Sequence, residues 1–286
     1  MTLLNDINRS AVLGDGWEAN AARQWGVPLH PLGEFNAIDY MIQSPKDAEE
    51  VHERARGLNM QLFIGIVISY VFAYNFVATV RMTHRRPDAM VNWCCLLQAL
   101  IGMGYAICLT LLYFPGGPSC RQAMWYCGVA LPTSSLCISA ALLQKAYIVH
   151  SRSKQLLVFG IVLLLPQPLV TYFFWISPIV MVPGIGCIIF HPPYFPWVKL
   201  ALDAPINILF SGAFVLVVYE QYRRYGSAAW ERLVRTGTQT MCAIALSNII
   251  CMTCVALEVL GMFSEFFFLV DWIVTSLLLT HHCTTI

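Results

Sequence analysis

Residues 60–80, MQLFIGIVISYVFAYNFVATV, run for 21 positions without a charged side chain. At 1.5 Å per helical residue this run matches the roughly 30 Å hydrocarbon layer of a bilayer. Six more segments have the same character, at roughly 90–113, 124–149, 155–181, 197–219, 238–261 and 263–282. Inside a bilayer each backbone N–H and C=O must find its partner within the segment, which leaves the α-helix for runs of this length. Only 12% of the 286 residues are charged, 58% are apolar, and the mean hydropathy is +0.63. A soluble domain carries about a quarter charged residues, so this chain has too little polar surface to cover a globule in water. The expected fold is an all-α membrane protein, a seven-transmembrane helix bundle over residues 59–286, behind a polar N-terminal tail over residues 1–58.

Local signals refine that expectation. Residues 1–58 are polar and mixed and contain no signal-peptide pattern, so span one is expected to act as its own insertion signal. The end of the tail, SPKDAEEVHERARG, predicts a short helix capped by Ser44 with Pro45 at its first position. Pro166, Pro168 and Pro178 predict a kink or an early end in span four. Little more than Gly261-Met262 separates spans six and seven, which predicts a tight helical hairpin.

Loop charge gives an orientation. The linkers after spans one, three and five carry Arg81, Arg85, Arg86, Arg152, Lys154, Arg223, Arg224, Arg232 and Arg235. The alternate loops carry Arg121, with Lys199 at a helix edge. The positive-inside rule then places the N-terminus outside and the C-terminus in the cytosol, in the plasma membrane or another secretory-pathway membrane. The sequon Asn8-Arg9-Ser10 lies on the predicted outer side, so Asn8 is a candidate glycosylation site. Arg223, Arg224, Arg232 and Arg235 could dock an acidic cytosolic signalling partner, or anchor the helix ends to anionic lipid.

Most of the 11 cysteines fall within spans and read as small buried apolar residues. Cys251-x-x-Cys254 has a zinc-like spacing but no second pair, and no metal or cofactor is expected. Cys120 and Cys187 both fall on the predicted outer side, where a disulfide persists. Pairing them would clip the loop PGIGCIIFHPPYFP over the mouth of the bundle. Cys127, two turns further into span three, is the competing partner, and spacing alone does not decide between them.

Seven spans, an outside N-terminus, and a cysteine at the outer end of span three with another in the next outer loop resemble the G-protein-coupled receptor architecture. Asn75, in AYNFVATV of span one, looks like the asparagine that rhodopsin-like receptors carry there. Asp271 stands where those receptors have Asn or Asp in span seven, although Trp272 and Thr275 replace the family's Pro and Tyr. Span three ends in KAYIVHSR rather than Asp-Arg-Tyr, span six lacks Cys-Trp-x-Pro, span two has no acid, and span seven has no lysine for a retinal Schiff base. With four residues after His282, an amphipathic eighth helix is not expected. The resemblance implies a small-molecule ligand entering from outside and a cytosolic partner reading helix movement.

An ionisable group at the centre of a membrane helix costs at least about 2.5–3.5 kcal/mol on insertion scales, so such groups face the bundle interior and have partners. The spans contain Asp203, Glu258 and Asp271, with Glu265 at the outer edge. Asp203 falls about 9 Å, and Asp271 about 12 Å, below the outer starts of their spans, and Glu258 one turn from the outer end of span six. One arrangement is a pocket open to the outside, lined by Asp203, Glu258 and Asp271 with Trp272, Trp197, Tyr194 and Phe267 nearby, suited to a cationic or hydroxylated ligand. The other leaves Glu258 and Glu265 wet and Asp203 at a helix entrance, with only Asp271 buried against a Ser, Asn or Tyr. Asn75, Asn207 and Asn248 read as interhelical hydrogen-bond glue, and His281-His282 as a solvated helix end.

The leading functional expectation is a receptor-like protein that senses a small ligand at this pocket and signals through its basic cytosolic loops. The rival is a membrane-embedded enzyme, since the chain is similar in size and span count to the small seven-span terpene cyclases, which protonate an apolar substrate with a buried carboxylate. The sequence carries no Gly-rich phosphate loop and no nucleic-acid patch.

Overall fold

The computed structural model describes residues 12–14, 16–19, 21–45, 47–149, 153–225 and 237–285. Asn8, Arg152, Arg232 and Arg235 lie outside these residues, and the side chain of Arg224 is likewise not described. After a short hairpin of β1 (Ala22–Gln24) and β2 (Val27–Leu29), the helix α1 (Ala37–Ile42) leads into α2 (Ala48–Arg85). Asp47, not Ser44, caps α2: its Oδ1 accepts the Glu50 N–H at 2.8 Å. The expected short helix and span one are therefore one continuous 38-residue helix. Gly57 lies within this helix without interrupting it.

Helices α3 (Met90–Leu111) and α4 (Cys120–Val149) follow, then α5 (Lys154–Leu164) and α6 (Leu169–Ile176). A second hairpin, β3 (Ile179–Val182) with β4 (Gly186–Ile189), precedes α7 (Phe195–Tyr225), α8 (Thr238–Ala256) and α9 (Phe266–Thr285). Among the described residues, six helical stretches are long and apolar enough to cross a membrane: α2, α3, α4, α5 with α6, α8, and Gly261–Thr284 around α9. These mark the chain as a membrane protein. The predicted fifth span is the 31-residue α7, which is not one of the six. Several side chains in its second half, from position 214 on, lie outside the described residues.

Of the apolar 18-residue core of each span, 67% is buried in Cys120–Gln144 of α4, against 17% in the more peripheral Lys154–Ile176. Phe72 of α2 lies across Gly102 of α3, where an added Cβ would stand 2.1 Å from the ring. Asn75 Nδ2 donates to Ser276 Oγ at 2.7 Å, tying α2 to α9. Proline removes a helix donor and clashes with the preceding turn. Pro166 and Pro168 accordingly break span four into α5 and α6 through the turn at 165–168, and α6 ends before Pro178. Spans six and seven are not a tight hairpin. Helix α8 stops at Ala256, and residues 257–265 form a separate connector with a 3-10 turn at Gly261–Glu265. His281 is exposed at the end of α9, but His282 is fully buried rather than solvated.

Candidate functional site

The β3–β4 hairpin closes one end of the bundle. All eight of its strand residues are buried. Cys187 of β4 forms a disulfide with Cys120 at the start of α4, while Cys127 remains a buried free thiol. Cys187 is held from a second side by the Gln61 amide of α2: Nε2 donates to the Cys187 carbonyl at 3.3 Å, and Oε1 accepts its N–H at 3.0 Å. Gly57, one turn earlier, lets the helix approach the Ile185 backbone closely. The N-terminal segment docks at the same end. Arg121 of α4 pairs with Glu34 and donates through Nη2 to the His30 carbonyl at 2.7 Å.

Two of the predicted acids meet inside this closed end. Asp203 of α7 and Asp271 of α9, 5% and 8% exposed, line one cavity with Ser135 and Ser139 of α4, Asn207, Asn248 and Thr275. Asp203 forms an ion pair with Lys199, one turn earlier on α7, and accepts a hydrogen bond from Gln167 Nε2 at 2.7 Å. The proline break that frees the 165–168 turn is what lets Gln167 reach it. Asp271 accepts from Asn248 Nδ2 at 3.0 Å and from Ser247 Oγ at 3.2 Å, both on α8. The cavity measures about 30 Å³. One water needs roughly 10–15 Å³ of such space and two to four polar partners, so this polar chamber suits one or two waters or a small ion.

The other predicted residues sit elsewhere. Trp272 faces away from the chamber, packs against Phe72 and Tyr105, and donates Nε1–H to Ser134 Oγ at 2.6 Å. Glu258 is exposed in the α8–α9 connector, in a left-handed backbone conformation (φ 47°). Trp197 and Tyr194 are about half exposed. A second cavity, about 50 Å³ and mostly apolar, lies beneath the hairpin among Tyr105, Met124, Phe174, Cys187, Ile189 and Phe268. At its edge His191 Nε2 stands 3.5 Å from Glu265 Oε2. Arg223 is exposed near the end of α7. Among the described residues, no group of three or more His, Cys, Asp or Glu side chains is arranged to hold a metal ion.

Lys199 and Gln167 are the participants that sequence reasoning missed. The i, i+4 spacing of Lys199 and Asp203 on a helix was a readable signal for the ion pair. Gln167 carried none, since only the tertiary packing of the broken span brings it to α7.

Fold and sites together define a mostly helical polytopic membrane protein with a disulfide-clipped hairpin over one end and a water-sized acidic chamber inside it. Comparison with protein-family models and with curated proteins finds no match.

Proposed function

We propose that this chain is a receptor-like seven-span protein, N-terminus outside and C-terminus cytosolic, which senses a small ligand at the hairpin end and signals through its basic loops. The reading takes α7 as the seventh crossing and rests on the positive-inside distribution of Arg and Lys. The observation that carries it is the shared chamber. Two polar clusters face this chamber: Gln167, Lys199 and Asp203 join the span-four break to α7, and Asp271, Ser247 and Asn248 join α8 to α9. A ligand that shifts any of these helices must strain buried charge-assisted bonds, which gives a displacement at the hairpin end an energetic readout. The apolar cavity under the hairpin is the entrance for an apolar portion of the ligand, and the His191–Glu265 pair offers it a polar anchor.

The test uses the purified full-length chain. A panel of cationic and hydroxylated small molecules is screened by thermal shift on the wild type and on Asp271→Asn. A compound that stabilises the first and not the second supports the reading. A glycosidase-sensitive mobility shift lost in Asn8→Gln supports the orientation, whereas a C-terminal tag accessible on intact cells overturns it.

One observation favours the enzyme reading: two carboxylates on different helices do share a chamber, as proton donation to an apolar substrate requires. Against it, Asp203 is already paired with Lys199 and hydrogen-bonded by Gln167. Turnover of a polyprenyl substrate by the wild type but not by Asp271→Asn would establish the enzyme instead.

A further inference from the structure

A site of different chemistry lies outside the bundle, where the β1–β2 hairpin rests on α4 and α6. Gln24 pairs with Val27, so Trp25 and Gly26 form a two-residue turn, and both have positive φ, 52° and 83°. Such turns favour Asn, Asp and Gly, and a bulky L-residue there is strained. The strained position presents a large ring that is 78% exposed. Trp25 stands 5.9 Å from Trp125 with nearly parallel rings, and 6.3 Å from Trp175, centroid to centroid. With Tyr172, one turn before Trp175, and with Gln24, Val27 and Ile176, these rings line a cavity of about 200 Å³ that opens to the surroundings.

Trp125 is five residues into α4 and Trp175 is the penultimate residue of α6. Both therefore sit at the same end of their membrane helices, the level at which Trp and Tyr meet lipid headgroups. None of the residues lining the cavity is charged. Aromatic faces attract a quaternary ammonium, and a box of several rings is the established way to recognise one. A lining with no Lys or Arg gives an anionic headgroup nothing to pair with, and one with no carboxylate does not repel the phosphate of a zwitterion. A purely anchoring tryptophan needs neither a left-handed backbone nor a cavity shared with three other rings.

We infer that Trp25, Trp125, Trp175 and Tyr172 form a receptor site for the trimethylammonium group of a choline-headed phospholipid. The site requires only that α4 and α6 cross a bilayer and involves neither Asp203 nor Asp271, so Asp271→Asn retains it whatever becomes of the signalling role.

The purified full-length chain in detergent is titrated with a short-chain phosphatidylcholine, the phosphatidylethanolamine of identical chains, and free choline, with tryptophan fluorescence as the readout and native mass spectrometry to count bound lipid. The choline lipid is expected to bind at least about tenfold more tightly than the ethanolamine lipid. Trp25→Gly, which suits the positive φ and leaves thermal stability unchanged or raised, is expected to erase that preference. Equal binding of the two lipids overturns the proposal and leaves the indoles as an unselective interfacial anchor. A choline preference that survives Trp25→Gly overturns it by placing the site elsewhere. Free choline binding as tightly as the lipid overturns the lipid assignment in favour of a soluble quaternary ammonium.

Discussion

Replacing Lys199 with Met leaves the Asp203 carboxylate inside α7 with Gln167 Nε2 as its remaining partner. Lys199 and Asp203 are 4% and 5% exposed, so neither charge can turn to water without moving the helix. Breaking a buried ion pair from one side costs about 3–5 kcal/mol, because the surviving charge keeps its desolvation cost and loses its compensation. Asp203→Leu should cost as much from the other side, with roughly 1–3 kcal/mol more for the stranded Gln167 donor. Replacing both partners removes the two charges together, which leaves only the roughly 1–3 kcal/mol of the stranded Gln167 donor, since apolar isosteres of buried pairs are often tolerated. The double variant Lys199→Met/Asp203→Leu should therefore be more stable than either single variant, with a coupling energy on the order of 6 kcal/mol or more. Intrinsic tryptophan fluorescence during denaturation of the detergent-solubilised chain measures all four members of the cycle. Single variants that each cost under about 1 kcal/mol and add without coupling would refute the reasoning, and would mean that Lys199 snorkels to the interface.

Three further outcomes are expected. Cys187→Ser should lower stability by about 2–5 kcal/mol, because the disulfide closes a 67-residue separation, and a reducing agent should shift the wild-type melting temperature the same way. Gly57→Ala should destabilise by about 1–3 kcal/mol, since the new Cβ would stand 2.5 Å from the Ile185 backbone nitrogen; Gly65→Ala, whose Cβ would meet Leu109 at an ordinary 3.9 Å, should be tolerated in the same melt. His30 accepts the Leu32 N–H at Nδ1 and has Nε2 3.2 Å from the Leu13 carbonyl, and burial, with the Arg121 charge adding to it, holds its pKa below the ordinary value. A depressed folded-state pKa means that its contribution is fully present above the unfolded value of about 6.5 and is lost as the pH falls through the folded value. Amide exchange at Leu32 and Gly33 should accordingly quicken as the pH is lowered, after correction for intrinsic rates, and His30→Gln should flatten the dependence.

The helices were legible where apolar length alone decides the outcome, as in residues 60–80. Their ends were not, because ends depend on local capping and on packing. Apolar residues continue to Gly261, yet the helix stops at Ala256, and Glu258 passes from a span position into an exposed connector. Asp47 displaced Ser44 as the cap because its carboxylate reaches the Glu50 amide one turn into the helix that forms. At the chamber, the acids themselves were visible from the cost of burying them. The Lys199 pairing was encoded in an i, i+4 spacing, whereas Ser247, Asn248 and Gln167 become partners only through the packing of α8 and the broken span. The burial of His282 was readable in hindsight: Trp272, Ser276, Leu279 and His282 follow each other at three or four residues and share the inward face of α9.

The break between α5 and α6 removes two backbone donors in three residues, so the regular helical ladder gives way to tighter turn bonds such as Gln167 N–H to the Leu164 carbonyl. The upper half packs against α4 and the β1–β2 hairpin, and Gln167 in the break itself is fastened to α7. A displacement of the upper half is therefore also passed sideways, to α4 through packing and to α7 through the Gln167–Asp203 bond. The fourth span is a universal joint rather than a rod.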